Sequence, residues 1–162
     1  MQTIRYELIP AKGTDGEVAV ITFDETNSPV NTMCRQWQQE LGEVTAQVLG
    51  DRERLGATLK GIVLASAKTS FFAGADLKAT MRLTPADAPS AFAEIERMKR
   101  HFRTLETLGI PVVACLNGAA LGGGWEVALV AHYRIAVADA KIQFGLPEVT
   151  LGLMPGATGV TR

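Results

Sequence analysis

The sequence predicts an α/β domain, and three observations support that prediction. Short apolar runs typical of buried strands alternate with segments whose apolar residues recur at helical spacing. The chain has 162 residues, 47% of them apolar, which suits one sizeable core and leaves little room for a second domain. Its 17 acidic and 16 basic side chains nearly balance, so no global basic field would attract nucleic acid or an anionic membrane surface.

The elements follow in order from the amino terminus. Alternating residues at 4–8 and β-rich residues at 18–23 predict an opening hairpin. Residues 35–49 have one apolar helical face, and Gly50 followed by Asp51 predicts the end of that helix. The alternation continues with a buried strand at 61–66, a helix at 89–108, a buried strand at 111–116, a helix at 125–131 and a third inner strand at 134–138.

One carboxylate, Glu126, lies in an otherwise uncharged stretch from residue 107 to residue 133, directly after the glycine run 122–124. Burying an ionised group without a partner is costly, so this carboxyl must be paired, hydrogen-bonded, neutral or engaged in chemistry. Glycine-rich backbone before a helix can turn its N–H groups toward a ligand, because no Cβ blocks the approach. The glycine run alone also fits tight helix–strand packing, and its combination with Glu126 favours a functional site.

A second carboxyl, Glu148, follows Pro147. Taken alone, it is better explained as an acid at the start of a turn or helix that interacts with backbone amides. Asp76 is likewise predicted to cap the helix that follows it. His101 and His132 have no serine or cysteine partner arranged as a triad, and both are predicted to be structural or solvated.

Three motifs carry a resemblance to a known family. They are SFFAGADL at residues 70–77, NGAALGGGWE at 117–126, and FGLPE at 144–148 continuing into GLMPG at 152–156. In this order they resemble the crotonase (enoyl-CoA hydratase/isomerase) superfamily over nearly the whole chain. Residues 4–7, the stretch 30–33 and the 22-position spacing between Glu126 and Glu148 resemble the hydratase half of multifunctional fatty-acid β-oxidation α-subunits.

The resemblance implies a crotonase-like ββα spiral core, formed by residues 1–162 as one domain. The turn-dense segment 151–159 reaches Arg162 with no closing helix, which predicts a piece of a longer protein that stops before the C-terminal helical trimerisation region. The chain departs from the family pattern at Thr158, where many members have glycine, and at Trp125, where smaller side chains are common. Both departures bear on substrate shape.

The resemblance also implies an activity, the hydration of 2-trans-enoyl-CoA to 3-hydroxyacyl-CoA in fatty-acid β-oxidation, with enoyl-CoA isomerase activity as an addition. The backbone N–H groups of Ala75 and Gly123 would hold the thioester oxygen as negative charge develops on it. Glu148 would exchange the proton at the α carbon, and Glu126 would orient and help deprotonate the water. Substrate contacts are expected from Ala73, Gly74, Asp76, Leu77, Lys78 and Gly122, and an apolar acyl slot from Met81, Leu83 and the helix 89–108.

No cofactor is expected, because CoA is part of the substrate. The chain has no GxGxxG fingerprint, so NAD would bind only to a dehydrogenase half beyond Arg162. Cys34 and Cys115 have no CxxC neighbours, and no metal site is predicted. For the full-length protein the resemblance implies a trimer-based homo-oligomer or a complex with a thiolase subunit.

The cytoplasm is the expected location. The amino terminus contains no continuous apolar signal segment. Residues 109–131 have the length and low charge of a membrane span, but Pro111, Asn117, the glycine run and Glu126 interrupt them.

Two other hypotheses stay open. The same fold supports thioester hydrolysis, dehalogenation and decarboxylation, and the presence of glutamate at both positions argues against these reactions. A non-catalytic acyl-CoA-binding or subunit-contact fragment is the other alternative, because the chain is short.

Overall fold

The computed structural model describes residues 1–162, which form seven strands, four helices and three short 3₁₀ turns. None of the helices is both long and apolar enough to span a bilayer. In chain order the elements are β1 (Ile4–Pro10), β2 (Glu17–Phe23), α1 (Arg35–Leu55), β3 (Leu59–Ser66), α2 (Leu77–Thr80), α3 (Ala88–Glu106), β4 (Val112–Leu116), β5 (Ala120–Leu121), α4 (Gly123–Leu129), β6 (Tyr133–Ala136) and β7 (Phe144–Gly145).

Five strands form the main sheet in the order β1-β2-β3-β4-β6. β1 and β2 pair antiparallel, with Ile4 opposite Phe23, while the other neighbouring strands pair parallel. The predicted hairpin and the strand–helix alternation are therefore confirmed. The prediction of a third inner strand at 134–138 is wrong, because β6 lies at the sheet edge and all four of its residues are exposed. The next strand, β7, pairs with β5 in a separate two-stranded sheet instead of covering β6.

Helix α1 is longer than the sequence predicts. It passes through Gly50 and ends at Leu55, followed by the capping residue Gly56, whose φ is 54°. A Cβ at Gly50 would meet nothing within 4 Å, so this exposed glycine weakens the helix only through its low helix propensity. Beyond it, Asp51 accepts a hydrogen bond of 2.6 Å from the Tyr6 hydroxyl of β1, which ties the last turns of α1 to the sheet.

Aromatic side chains form the centre of the core. The ring centroid of Phe72 lies 5.3 Å from that of Phe23 and 5.2 Å from that of Trp37, and both pairs meet edge to face. Phe71 is also fully buried and lies 5.8 Å from Phe23. Because Phe71 and Phe72 belong to the first motif, their burial determines where the following residues, 73–75, emerge from the core.

Candidate active site

The short strand β5 brings the three sequence motifs together. On one side, the N–H of Leu121 donates to the carbonyl of Phe72 at 3.2 Å, and Phe72 forms a parallel bridge with Ala120. On the other side, β5 pairs with β7, and the N–H of Gly122 donates to the carbonyl of Gly145 at 2.9 Å. Segments 71–75, 120–123 and 144–148 therefore lie side by side, although at least twenty residues of chain separate each from the next.

Two of the glycines in these segments have conformations that other residues rarely adopt. The φ angles of Gly74 and Gly122 are 100° and 55°, in the left-handed region that favours glycine. A Cβ at Gly74 would also lie 2.9 Å from the carbonyl oxygen of Leu121 and 3.5 Å from the nitrogen of Gly123. The first and second motifs are thus in direct backbone contact at the point where the two candidate amides occur.

The N–H groups of Ala75 and Gly123 are both available for a ligand. The Ala75 N–H donates to no acceptor in the chain, and Gly123 is the first residue of α4, so its N–H has no partner inside that helix. The Ala75 nitrogen lies 3.5 Å from the position that a Cβ of Gly123 would take. The two amides therefore border the same small region, between residues 74–75 and residues 122–123.

Glu126 is 2% exposed and lies in the first turn of α4. Its Oε1 atom accepts three backbone hydrogen bonds, from Ala157 at 2.9 Å, Thr158 at 2.6 Å and Gly159 at 2.7 Å. The sequence requires this buried carboxyl to be paired, hydrogen-bonded, neutral or engaged in chemistry. The structure shows that it is hydrogen-bonded. The three amides hold the carboxyl in one orientation and place their partial positive charge on one of its oxygens.

Glu148 begins the 3₁₀ turn Glu148–Leu151 shortly after β7. Its Oε1 atom would lie 3.0 Å from a Cβ at Gly122, so the carboxyl packs directly against the glycine run. Its Oε2 atom is buried and has no hydrogen-bond partner in the chain. Glu148 therefore begins a turn, as predicted, but the Oε2 atom of its carboxyl is not bonded to a backbone amide.

A comparison with family models identifies the chain. The model described as "Enoyl-CoA hydratase/isomerase" matches residues 13–162. The chain belongs to this family. Among curated relatives, the fatty acid oxidation complex subunit alpha of Shewanella frigidimarina is 39% identical over 153 residues, and that of Shewanella loihica is 40% identical over 149 residues. These matches cover 94% and 91% of this chain but 20% of each relative, so the chain spans about a fifth of the length of these curated relatives.

Solved structures confirm the predicted crotonase fold. The enoyl-CoA hydratase of Bacillus anthracis superimposes with a TM-score of 0.78 and 28% identity, over 99% of this chain and 57% of that chain. The enoyl-CoA hydratase of Thermoplasma volcanium gives a TM-score of 0.75 and 25% identity, over 99% of this chain and 58% of that chain. This chain therefore corresponds to a little more than half of those structures.

The other predicted substrate contacts occupy mixed environments. Gly74 is buried, Gly122 and Asp76 are half-buried, and Ala73, Leu77 and Lys78 are exposed. Asp76 caps α2 as predicted, since its Oδ1 accepts the Ala79 N–H at 3.0 Å. The residues expected to form an acyl slot do not enclose one within this chain: the side chains of Met81, Leu83 and Phe92 are 86%, 53% and 67% exposed.

Cavities occur elsewhere in the molecule. One of about 330 Å³ lies between α3 and residues 155–162, and one of about 290 Å³ lies between α1 and α3. Neither of these two cavities is lined by Glu126 or Glu148, and the convergence of backbone segments defines the candidate site. The chain contains no group of three or more histidine, cysteine, aspartate or glutamate side chains placed to hold a metal ion.

Two histidines and Trp125 lie outside the hydrogen bonds that hold Glu126. The Nδ1 atom of His132 accepts the Val112 N–H at 3.0 Å, so this histidine is structural, as predicted. His101 is half-buried in α3, and burial together with the charges of Arg100 and Arg97 lowers its pKa. Trp125 stacks on Phe144 with ring centroids 5.5 Å apart, beside the second and third motifs.

The sequence does not reveal the partners that hold the site. Residues 157–159 occur in a stretch that the sequence marks as rich in turns and, at Thr158, as a departure from the family pattern, yet their N–H groups bind Glu126. Asn31 and Met33 occur in a stretch noted only for its resemblance, yet both contact the segments of the candidate site. The one available signal is Asn31 itself, a polar residue that lies between a strand and a helix and proves to be 1% exposed.

Proposed function

We propose that this chain hydrates 2-trans-enoyl-CoA to 3-hydroxyacyl-CoA in fatty-acid β-oxidation, and that the same site isomerises enoyl-CoA double bonds. The observation that carries the proposal is the position of β5. It has the Ala75 loop on one side and Glu148 on the other, and it leads directly into Gly123 and Glu126. Family membership supports this choice among the chemistries that such a site allows.

The first requirement of the reaction is to stabilise the enolate. When oxygen adds to the β carbon, negative charge moves to the thioester oxygen, where fixed hydrogen-bond donors lower the barrier. The amides of Ala75 and Gly123 fit this role, because they border one region and the Ala75 N–H has no partner in the chain. The small residues around them let a thioester approach the main chain closely.

The second requirement is to move protons while water adds. The oxygen of water bonds to the β carbon, one of its protons leaves, and a proton is delivered to the α carbon, so the sum of the steps is the addition of H and OH across the double bond. We assign the α-carbon proton to Glu148, whose Oε2 atom has no partner in the chain. We assign the orientation and deprotonation of the water to Glu126, which three amides hold in place.

The remaining residues and the setting follow the same proposal. Backbone and side chains of Ala73, Gly74, Asp76, Leu77, Lys78 and Gly122 would contact the CoA thioester. The full-length protein would form a trimer-based homo-oligomer or join a thiolase subunit in the cytoplasm. NAD would bind only to a dehydrogenase part outside these residues.

A direct assay tests the proposal. The chain is incubated with crotonyl-CoA, and the loss of the conjugated enoyl absorbance is followed for the wild type, Glu126→Gln and Glu148→Gln. Each glutamine variant keeps the shape of the side chain but cannot exchange a proton, so we expect the rate to fall by about 10²- to 10⁴-fold. Glu43→Gln, at an exposed position of α1, is the matched control and should keep the wild-type rate.

The possible outcomes separate the alternatives. Full activity in both site variants would show that these glutamates are not catalytic. Tight binding of crotonyl-CoA without turnover by the wild type would favour a non-catalytic acyl-CoA-binding module. Release of free CoA in place of 3-hydroxybutyryl-CoA would favour thioester hydrolysis.

A further inference from the structure

Asn31 connects four segments of the chain through its side chain. Its Nδ2 group lies within hydrogen-bond distance of the carbonyl of Phe23 at 3.3 Å, the hydroxyl of Ser66 at 2.9 Å and the carbonyl of Phe71 at 3.2 Å. Its Oδ1 atom accepts the N–H of Glu25 at 3.0 Å. With 1% exposure, Asn31 joins the ends of β2 and β3 to the beginning of the loop that leads to Ala75.

The backbone of residues 31–33 continues this connection. The N–H of Ala73 donates to the carbonyl of Asn31 at 2.9 Å, and the N–H of Met33 donates to the carbonyl of Gly74 at 2.9 Å. Together with the side-chain bond to Phe71, these bonds hold residues 71, 73 and 74 against one short segment. The next residue is Ala75, so little freedom remains in where its N–H lies.

The side chain of Met33 reaches the other candidate amide. Its Sδ and Cε atoms would lie 2.6 Å and 3.0 Å from a Cβ at Gly123, and the Ala75 nitrogen would lie 3.5 Å from the same point. Met33 is 7% exposed, so packing restricts its position. The thioether therefore packs against Gly123 on the side that faces the Ala75 nitrogen.

We propose that Asn31 and Met33 are positioning residues that set the placement of the Ala75 and Gly123 amides toward one thioester oxygen. Asn31 anchors the loop of Ala75, and Met33 spaces that loop from Gly123. An oxyanion site requires donors about 2.7–3.1 Å from the oxygen, and an error of about 1 Å in geometry can reduce a rate on the order of a hundredfold. This inference rests on the proposed function, because it assumes that the two amides bind the substrate carbonyl.

A chromophoric substrate analogue tests the proposal without requiring turnover. The probe is cinnamoyl-CoA with a para-dimethylamino group, whose absorbance moves to longer wavelength when its carbonyl accepts strong hydrogen bonds. The bound spectrum is recorded at saturating probe for the wild type, Met33→Ala, Met33→Leu, Asn31→Ser and Asn31→Asp. We expect Met33→Ala, Asn31→Ser and Asn31→Asp to lose at least half of the wild-type red shift, and Met33→Leu to keep most of it because the larger side chain still spaces the loops.

The control separates positioning from stability. Val48→Ala removes a fully buried side chain of α1 that is not part of the candidate site, and urea unfolding identifies conditions in which every variant is folded. Val48→Ala should keep the full red shift, because a general loss of core packing leaves the amides in place. Asn31→Asp buries a charge and is at greater risk of not folding, so the neutral variant Asn31→Ser, whose side chain is too short to keep the same bonds, decides the role of Asn31, and Met33→Ala decides the role of Met33.

Three results decide the matter. A smaller red shift in Met33→Ala or Asn31→Ser, with the wild-type shift in Val48→Ala, supports the positioning role of that residue. An unchanged shift in either variant overturns the role of that residue and leaves the proposed function intact. A wild type that binds the probe without any red shift overturns the assignment of the two amides, and the positioning role with it.

Discussion

At the scale of single residues, a few buried polar side chains connect segments that are distant in sequence. Glu126 binds amides that lie 31 to 33 positions away. Glu40, on α1, is 1% exposed and accepts hydrogen bonds from the backbone of Gln2, Thr3 and Ile4 and from the side chains of Thr3 and Gln36. Removing such a charge leaves several buried donors without their acceptor, which is more costly than losing one average bond.

The first prediction concerns acid stability through Glu40. Burial opposes ionisation of this carboxyl, but the hydrogen bonds from Gln2, Gln36 and Thr3 outweigh it and lower the pKa from 4.5 to about 2. Because the pKa is depressed in the folded state, the stabilisation is present above pH 4.5 and disappears as the pH falls toward 2. Each tenfold change in the acid constant is about 1.4 kcal/mol, so the ionised form contributes roughly 3 kcal/mol.

Urea unfolding of the wild type and Glu40→Gln between pH 7 and pH 2 measures this contribution. We expect Glu40→Gln to be less stable than the wild type at pH 7, and the difference to shrink as the pH falls through the range from 4.5 to 2. Glu43→Gln, on an exposed position of the same helix, should follow the wild type throughout. A constant difference between the wild type and Glu40→Gln at every pH would show that ionisation of Glu40 does not stabilise the fold.

The residues that bear chemistry could be named from the sequence, but their partners could not. Glu126 and Glu148 can be identified from the sequence because each follows a glycine-bearing motif. For Glu126 there is a second reason, since no other charge lies nearby in sequence. The amides of 157–159 and the contacts of Asn31 are set by how β5, β7 and the core bring distant segments together. No local pattern encodes such contacts, since they depend on the complete topology.

At the scale of elements, the glycines of α4 show how close packing determines position. A Cβ at Gly124 would lie 2.2 Å from the carbonyl oxygen and 2.7 Å from the carbonyl carbon of Phe72. That carbonyl also accepts the Leu121 N–H, so it cannot move without disturbing β5. At Gly123 the nearest obstruction is instead the end of the unbranched Met33 side chain, which can adjust more readily than backbone.

The second prediction compares alanine at these two positions. Gly124→Ala forces a backbone shift at Phe72, and we expect it to lower the free energy of unfolding by about 3 kcal/mol, at the upper end of overpacking effects. Gly123→Ala displaces only a side-chain terminus and gains helix propensity, so it should cost less than about 1 kcal/mol. Urea midpoints of the two variants measure the difference. Equal midpoints would show that the approach of α4 to Phe72 is not as close as described.

The third prediction concerns the start of α1. The Cys34 side chain caps this helix by accepting the Trp37 N–H at 3.5 Å, and sulfur is a weak acceptor. Serine is a much stronger N-cap, so Cys34→Ser should raise the free energy of unfolding by about 0.5–1 kcal/mol, and Cys34→Ala should not raise it. Cys115→Ser, in β4, is the control for loss of a thiol and should bring no gain. A decrease in stability in Cys34→Ser would show that the thiol packs and does not cap.

Element types were more predictable than element ends and positions. The apolar spacing of α1 and α3 and the apolar runs of β3 and β4 predict these elements correctly, because each buries one face in the core. Gly50 did not end α1, since Asp51 and Tyr6 hold the helix beyond it. The apolar residues of β6 resembled an inner strand, but whether a strand is covered depends on where the next strand pairs.

At the scale of the whole molecule, the carboxyl-terminal segment 155–162 connects α3 to the candidate site. Its amides at 157–159 bind Glu126 of α4, and its last residue, Arg162, donates to Glu106 of α3 at 3.1 and 2.7 Å. The hydrogen bond from Arg162 is the main cause that lowers the pKa of Glu106. The segment is therefore held at residues 157–159 and at Arg162, with the cavity of about 330 Å³ between it and α3.

The fourth prediction measures how these two attachments are coupled. Amide hydrogen exchange reports the protection of residues 157–159, because those N–H groups exchange slowly only while they are bonded to Glu126. Glu126→Gln replaces a charged acceptor by a neutral one, so we expect exchange at all three amides to rise about tenfold or more.

Arg162→Gln removes the ion pair with Glu106 and should raise the same exchange by a smaller factor. Global stability should change little, since ion pairs with solvent access contribute about 0–1 kcal/mol. Arg54→Gln, which breaks the separate pair with Asp51, should leave these amides unchanged. If exchange at 157–159 is the same in the wild type and in Arg162→Gln, the attachment at α3 does not support Glu126, and the three amide bonds alone hold the segment on the site.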